Sequence, residues 1–415
     1  MSNAVVELNG RSYSWPKDPV VGVCIDGSEP GYIEEAVKAG VAPFFERVIN
    51  GGTNRIARCV IPSFTNPNNI SIVTGRPPAV HGICGNFFYD RINDSEVMMN
   101  DPKFMRVETI FKAFQRRGAK VCVITANDKL RRLLGKDLDF GDGTAISFSA
   151  ETSDKATMAD HGIEGVLDLV GLPVPEVYSA GLSEFIFAAG VKIMARNRPD
   201  IMYLSTTDYI QHKHAPGTPV ANAFYQMMDG YLAQLDEMGC IVVMTADHGM
   251  NAKHDSEGAP DVIYLQQVLD GMLGEGAARV ILPITDPYVA HHGALGSFAT
   301  VYLSDSVDRA QLLEKLEAMD GIEIALDRTA GCTRFELPED RVGDVIVVSG
   351  QNKVLGTSAS RHDLSGLKEP LRSHGGITEQ TVPLLLNRRT DVPDSASLRN
   401  FDIYDLALNH ALAAA

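Results

Sequence analysis

A chain of 415 residues with 45% hydrophobic and 22% charged side chains carries enough apolar mass for a large core, in two lobes or one domain with insertions. Its formal charge of −16 argues against nucleic acid or an anionic membrane as main partner, because the global field repels both. No apolar run reaches the roughly 20 residues that span a bilayer, and no basic stretch followed by an apolar one opens the chain. Cys24, Cys59, Cys84, Cys122, Cys240 and Cys332 are scattered without a C-x-x-C, which reads as reduced core cysteines of a cytoplasmic protein.

In chain order, residues 18–26 (DPVVGVCID) form an apolar, β-branched run that stops at Asp26-Gly27, the pattern of a central parallel strand with an acid at its tip. Helical patterning over 33–48 is broken in two by Gly40 and Pro43. Residues 58–62 read as a short strand, followed by the polar Ser63-Phe-Thr-Asn-Pro-Asn-Asn69 and a helical stretch over 70–74 closed by Gly75. Thr65 therefore falls near a helix start, where free N–H groups and the helix dipole favour an anion. The glycine-rich His81-Gly-Ile-Cys-Gly-Asn86 reads as a turn. A helix over 109–117 and a core strand over 119–125 come next, the strand tipped by Ala126-Asn-Asp-Lys-Leu130.

Periodicity weakens over 131–183, which is expected to be an insertion. A helix is predicted over 185–197 and a third strand over 200–208 (DIMYLSTTD), again ending in an acid. Asp208 and His212 stand four residues apart, so on a helical turn they share one face at about 5–6 Å between Cβ atoms, close enough to share a metal. A helix over 221–238 leads into the strand run Ile241-Val-Val-Met-Thr-Ala-Asp-His-Gly-Met250, which ends abruptly in Asp247 and His248, with Gly249 to turn the backbone away. The pattern over 255–365, with strands at 300–303, 322–326 and 344–349 and a helix over 309–319, predicts an α+β cap inserted into a core made of 15–254 and 366–415. Residues 371–376 and 382–386 rejoin that core, and 403–412 read as a closing helix.

Three strands thus end in acids, Asp26, Asp208 and Asp247, and His212, His248 and His374 follow or join them. Parallel strands place their carboxyl ends on one rim, so the six side chains are expected to meet. With Thr65 they make two sites of three or four ligands each, the stoichiometry of a two-metal hydrolytic centre. His214, His254 and the His291-His292-Gly293 run remain, and His214 and the 291–293 run are candidates to border the pocket.

The motifs Asp26-Gly27, Pro62-Ser-Phe-Thr-Asn-Pro-Asn68, Thr206-Thr-Asp208 with His212, Ala246-Asp-His-Gly249 and Ser373-His-Gly375 resemble the alkaline phosphatase superfamily. Within it the chain is similar to the nucleotide pyrophosphatase/phosphodiesterase-like branch, and most to the phosphonoacetate hydrolases there. The likeness runs over nearly the whole chain, including His81-Gly-Ile-Cys-Gly-Asn-Phe87, Gln211-His-Lys-His-Ala-Pro-Gly-Thr-Pro219 and Phe335-Glu-Leu-Pro-Glu-Asp340. It implies an α/β fold, an alkaline-phosphatase-like core with a mostly parallel central sheet flanked by helices and a smaller α+β cap.

The resemblance further implies two zinc ions per chain. One would be held by Asp208, His212 and His374, the other by Asp26, Asp247 and His248, with Thr65 as nucleophile and its Oγ bridging toward substrate. Asn86 matches an asparagine that bonds a phosphoryl oxygen in relatives, and Lys129 and His214 become candidates for binding a small anionic substrate, phosphonoacetate. The family pattern has Thr-Ala-Lys-Asp-Lys-Leu where this chain has Thr125-Ala-Asn-Asp-Lys-Leu130, so Asn127 stands in place of a lysine. The expected reaction is cleavage of the C–P bond; the rival keeps fold and metals but acts on phosphate mono- or diesters. The resemblance leaves a homodimer open.

Overall fold

A computed structural model describes residues 5–284 and 295–413; the His291-His292-Gly293 run lies outside them. The core is built on an eight-stranded sheet, whose strands in chain order are β1 (Val20–Cys24), β2 (Thr53–Arg58), β3 (Val121–Thr125), β4 (Ala145–Ser149), β5 (Ile201–Ser205), β6 (Ile241–Thr245), β7 (Thr381–Leu386) and β8 (Leu398–Arg399). Their order across the sheet is β8-β2-β7-β6-β1-β5-β3-β4. All neighbours are parallel except β7, which runs antiparallel to both β2 and β6. This is the α/β architecture the sequence predicts, with one reversed strand inside it.

Every residue of β1, β3, β4 and β5 is buried, which is why these strands read as continuous apolar runs rather than alternations. Side chains still alternate between faces: Val21, Val23, Met202 and Leu204 pack with the helices Pro30–Lys38, Pro43–Gly51, Gly181–Asn197 and Pro219–Glu237. Val20, Ile201, Tyr203 and Val243 pack on the other face, against the helices Thr65–Thr74, Ile110–Gln115 and Asp128–Leu134. Gly22 of β1 admits the closing segment: a Cβ there would meet the Tyr404 hydroxyl at 2.5 Å, and that hydroxyl donates to Met202 O at 3.0 Å.

Several elements differ from expectation. The strand expected over 58–62 lies earlier, at Thr53–Arg58, because that segment pairs with β7 while 59–62 turn into the Thr65 helix. The stretch 131–183 contributes β4, the edge strand of the central sheet. The closing segment is a short α-helix, Ile403–Asp405, that widens into a π-helical turn over Leu406–His410.

Past residue 254 a second, four-stranded antiparallel sheet forms in the order Ala278–Ile281, Phe298–Leu303, Val345–Ser349, Ile322–Asp327. One face holds an apolar cluster with the helices Leu265–Leu273 and Arg309–Glu317, including Leu269, Val301, Leu316 and Val347. The other face, through Phe298, Ile346 and Val348, is continuous with the main core. The chain leaves and re-enters the core side by side, Asn251 and Ala252 pairing antiparallel with Ser373 and Arg372. A hairpin, Phe87–Asp90 with Ser95–Met98, reaches across from the core: Arg91 pairs with Asp344, Asp94 with Arg279 at 3.2 Å, and Tyr89 packs edge-on against Tyr302 at 4.9 Å.

Candidate metal centre

Because β6, β1 and β5 are neighbours and parallel, their carboxyl ends share one rim, and the residues just beyond them meet. Asp247, Asp26 and Asp208 are all buried there, as are His212, His248 and His374. Asp208, His212 and His374 bring ligand atoms within 4.8 Å of one another, and so do Asp26, Asp208 and His248, so Asp208 belongs to both groups. Asp247 Oδ2 lies 3.8 Å from His248 Nε2, and the rings of His248 and His374 stack at 3.6 Å and 6°. Thr65 opens its helix, as expected, with Oγ1 3.5 Å from His248 Nε2.

Local chain chemistry fixes these positions. Gly27, at φ +69°, carries the chain away from Asp26 so closely to Asp208 that a Cβ would sit 2.9 Å from the Asp208 Cβ. The Thr206 hydroxyl accepts from the Asp26 amide at 2.9 Å, joining two strand tips. His212 N–H donates to Asp208 O at 3.0 Å, so the four-residue spacing does form one helical turn. Gly249 serves a close approach rather than a turn: a Cβ there would lie 3.3 Å from Glu379 O.

Each imidazole is oriented by the backbone. His212 Nδ1 lies 2.9 Å from Arg372 O, His248 Nδ1 2.9 Å from Gly249 O and His374 Nδ1 2.7 Å from Ser63 O. A carbonyl can only accept, so Nδ1 carries a proton and Nε2 is the nitrogen turned toward the carboxylates. His212 Nε2 and Asp208 Oδ2 lie 2.9 Å apart, close enough for both to reach one cation. Burial and the neighbouring His248 push His374 down to about 3, and burial lowers His248, which favours the neutral form that a metal ligand requires. Burial and the charge on Asp208 push the Asp247 carboxyl up to about 7. Crowded carboxylates and neutral imidazoles without a thiolate fit divalent cations of the zinc or manganese kind.

Asn69 was not legible as a site residue, though it sits in the polar run before the helix. Its Nδ2 donates to Asp247 Oδ2 and to Thr65 O, both at 3.1 Å, while its Oδ1 accepts from Tyr203 at 2.8 Å and Ser205 at 2.9 Å. One buried amide therefore ties a carboxylate, the start of the Thr65 helix and β5 together. Asn68 does the same for the preceding loop, accepting from Val60 N at 2.7 Å and donating to Phe64 O at 3.0 Å.

Residues 20–376 match the sequence model of the type I phosphodiesterase / nucleotide pyrophosphatase family. The chain belongs to that family. It is similar over its length to crystal structures of phosphonoacetate hydrolase from Sinorhizobium meliloti 1021, in complex with phosphonoformate and with phosphonoacetate: 59% identity, 99% of this chain and 100% of that one, TM-score 0.96. A stretch of 31 residues is 64% identical to the phosphonoacetate hydrolase of Penicillium oxalicum, covering 7% of this chain and 43% of that relative's length. Murine ectonucleotide pyrophosphatase/phosphodiesterase 5, 18% identical over 96% of this chain and 97% of its own with TM-score 0.63, shares the fold. No described helix is long and apolar enough to cross a membrane.

The remaining sequence-predicted residues of this family member lie away from the buried cluster's tight contacts. Asn86 is buried at the base of the hairpin, its N–H donating to Pro283 O and its O accepting from Met99 N. Lys129 is exposed on the Asp128–Leu134 helix beyond β3, whose carboxyl end points to the same rim. Asn127 caps that helix, its Oδ1 accepting from Leu130 N at 2.8 Å, a bond no lysine could make. His214 is half-buried, and its carbonyl accepts from the Tyr32 hydroxyl at 2.6 Å.

Proposed function

We propose that this family member is a dizinc hydrolase that cleaves the C–P bond of phosphonoacetate, giving acetate and phosphate through a phosphothreonine at Thr65. The single observation that carries the reading is the 59% identity over the full length of a protein crystallised with phosphonoacetate. In this reading Asp208, His212 and His374 hold one zinc and Asp26, Asp247 and His248 the other. Bound there, the ions supply positive charge against the phosphoryl oxygens and the substrate carboxylate and lower the pKa of the Thr65 hydroxyl.

Thr65 Oγ attacks phosphorus while the C–P bond breaks. Its electron pair passes to the methylene carbon and spreads into the adjoining carboxylate as an enediolate, which takes a proton to become acetate. Water then attacks the phosphothreonine, releasing phosphate and restoring the hydroxyl. Asn86 bonds a phosphoryl oxygen, and Lys129 and His214 face the carboxylate end. The placement of Thr65 at a helix start supports the nucleophile role, because the first-turn N–H groups favour the anion it attacks. The six free, buried cysteines suit the cytoplasmic location that belongs to this reading.

Phosphorus NMR of the zinc-loaded protein with phosphonoacetate and with a nitrophenyl phosphodiester tests the proposal. Rapid phosphate release from the C–P compound, abolished by chelator, is the expected outcome. Hydrolysis of the ester at far higher kcat/KM would instead select the phosphodiesterase reading.

A further inference from the structure

Beside the centre lies an ion pair that no sequence motif announces. Lys253 and Glu379 are both completely buried, with Nζ 2.8 Å from Oε1. Moving two charges out of water is costly, and apolar residues of similar volume often replace such pairs at no loss of stability. This pair must be explained by what else it holds.

Its partners are the backbones of the two ligand loops. The Glu379 main-chain carbonyl, apart from the ion pair, accepts from Gly249 N at 2.7 Å, one residue beyond His248. Glu379 Oε2 accepts from Gly376 N at 2.8 Å, two residues beyond His374. Oε1 also accepts from Asn251 Nδ2 at 2.6 Å and from the Thr378 hydroxyl at 2.7 Å. Lys253, where the chain leaves the core, donates in addition to Gln351 O at 2.6 Å in the second lobe, and its own N–H donates to Leu371 O at 2.8 Å on the returning strand. Burial alone would raise the Glu379 carboxyl, yet Lys253 and the hydroxyl and amide donors hold it below the usual carboxylate range, so it stays an anion with all these bonds.

We infer that the Lys253–Glu379 pair is a positioning device: it locks the His248 loop to the His374 loop and to the second lobe, and thereby sets how tightly the centre holds its metals. The histidines whose rings stack at 3.6 Å come from segments joined through no strand of the central sheet other than β6 and β7. Asn251 and Ala252 pair with Ser373 and Arg372, and the Glu379 side chain adds bonds on both sides of that pairing, to Asn251 and to Gly376. The inference rests on the dizinc reading of the site.

The test uses the full chain and zinc itself, with affinity measured by competition against a chromophoric chelator and cobalt substitution giving a visible spectrum of the ligand geometry. Replacing the pair together, Lys253→Met with Glu379→Met, removes both charges without leaving one unpaired. We expect zinc affinity to fall on the order of 10- to 100-fold, as for other groups that orient metal ligands, with an altered cobalt spectrum and a melting temperature within a few degrees of the parent. Unchanged affinity and spectrum in the folded double variant overturn the inference. Should that variant not fold, Glu379→Gln, which keeps the shape and loses the charge, carries the same two outcomes. A parent protein that binds no zinc would instead remove the dizinc reading, so the two failures are distinguishable.

Discussion

The buried rim at the ends of β1, β5 and β6 and the positions outside it at Asn86, Lys129 and His214 are built in opposite ways. On the rim every charged side chain is buried, each imidazole is oriented by a backbone carbonyl, and Asn69 and Thr206 tie the strand tips together. Outside the rim, Lys129 is exposed on a short helix, His214 is half-buried, and Asn86 hangs from a hairpin that also grips the second lobe. The rim is a rigid scaffold for charge. Outside it, the Asn127 side chain caps the start of its own helix.

The comparison is tested most severely at Asp208, the carboxylate common to both groups. Asp208→Asn should lower zinc retention and kcat/KM by more than about 100-fold, beyond what groups outside the ligand set cost, and by more than Asp26→Asn does. Equal effects would show that the two halves are independent. Thr65→Ala should abolish turnover, by about 10³-fold or more, while zinc content by atomic absorption stays near that of the parent; retained activity would end its assignment as nucleophile. Asn69→Ala, which leaves every ligand in place, should cost about 10- to 100-fold in metal affinity. Lys129→Ala lies outside the buried rim and is expected to raise KM for phosphonoacetate by no more than about 10-fold, given the screening of an exposed charge, with zinc content unchanged.

The smallest effect concerns stability. His81 bridges the two regions: its ring lies 2.9 Å from the Ser71 hydroxyl on the Thr65 helix, and its Nδ1 accepts from Ile83 N on the loop that leads to Asn86. Burial, with Arg106 and Arg341 adding to it, pushes His81 from 6.5 to about 3. Between those values the unfolded chain binds a proton that the folded one refuses, so stability rises with pH there and is lost as pH falls from 6.5 toward 3. Denaturant titrations of His81→Gln across that window should show a shallower slope than the parent; an unchanged slope would place the acid sensitivity elsewhere.

What could be read in the sequence follows the same division. The strand-tip acids were visible because buried parallel strands write continuous apolar runs that stop at a charged residue, as at Asp26, Asp208 and Asp247. The reversed strand β7 and the edge strand β4 were harder: the apolar run at 382–386 carries no mark of direction, and β4 lies in a stretch whose short helices and turns hide a period. Asn69 and Glu379 were invisible for a different reason. Their importance lies in bonds to backbone atoms of distant segments, and a lone amide or carboxylate in sequence does not disclose its partners. Asn127 looked like a loss and proves to be a helix cap, a role that local spacing to Leu130 could have suggested.

β7 has one further consequence. It lies inside the sheet, between β2 and β6, yet it is made from residues 381–386, and His374 arrives just before it. During synthesis, Asp26, Asp208, His212, Asp247 and His248 all emerge while that slot in the sheet is still open. The segment 374–386 therefore fills that slot and brings His374 to the rim in the same event, so a product ending before it would lack both.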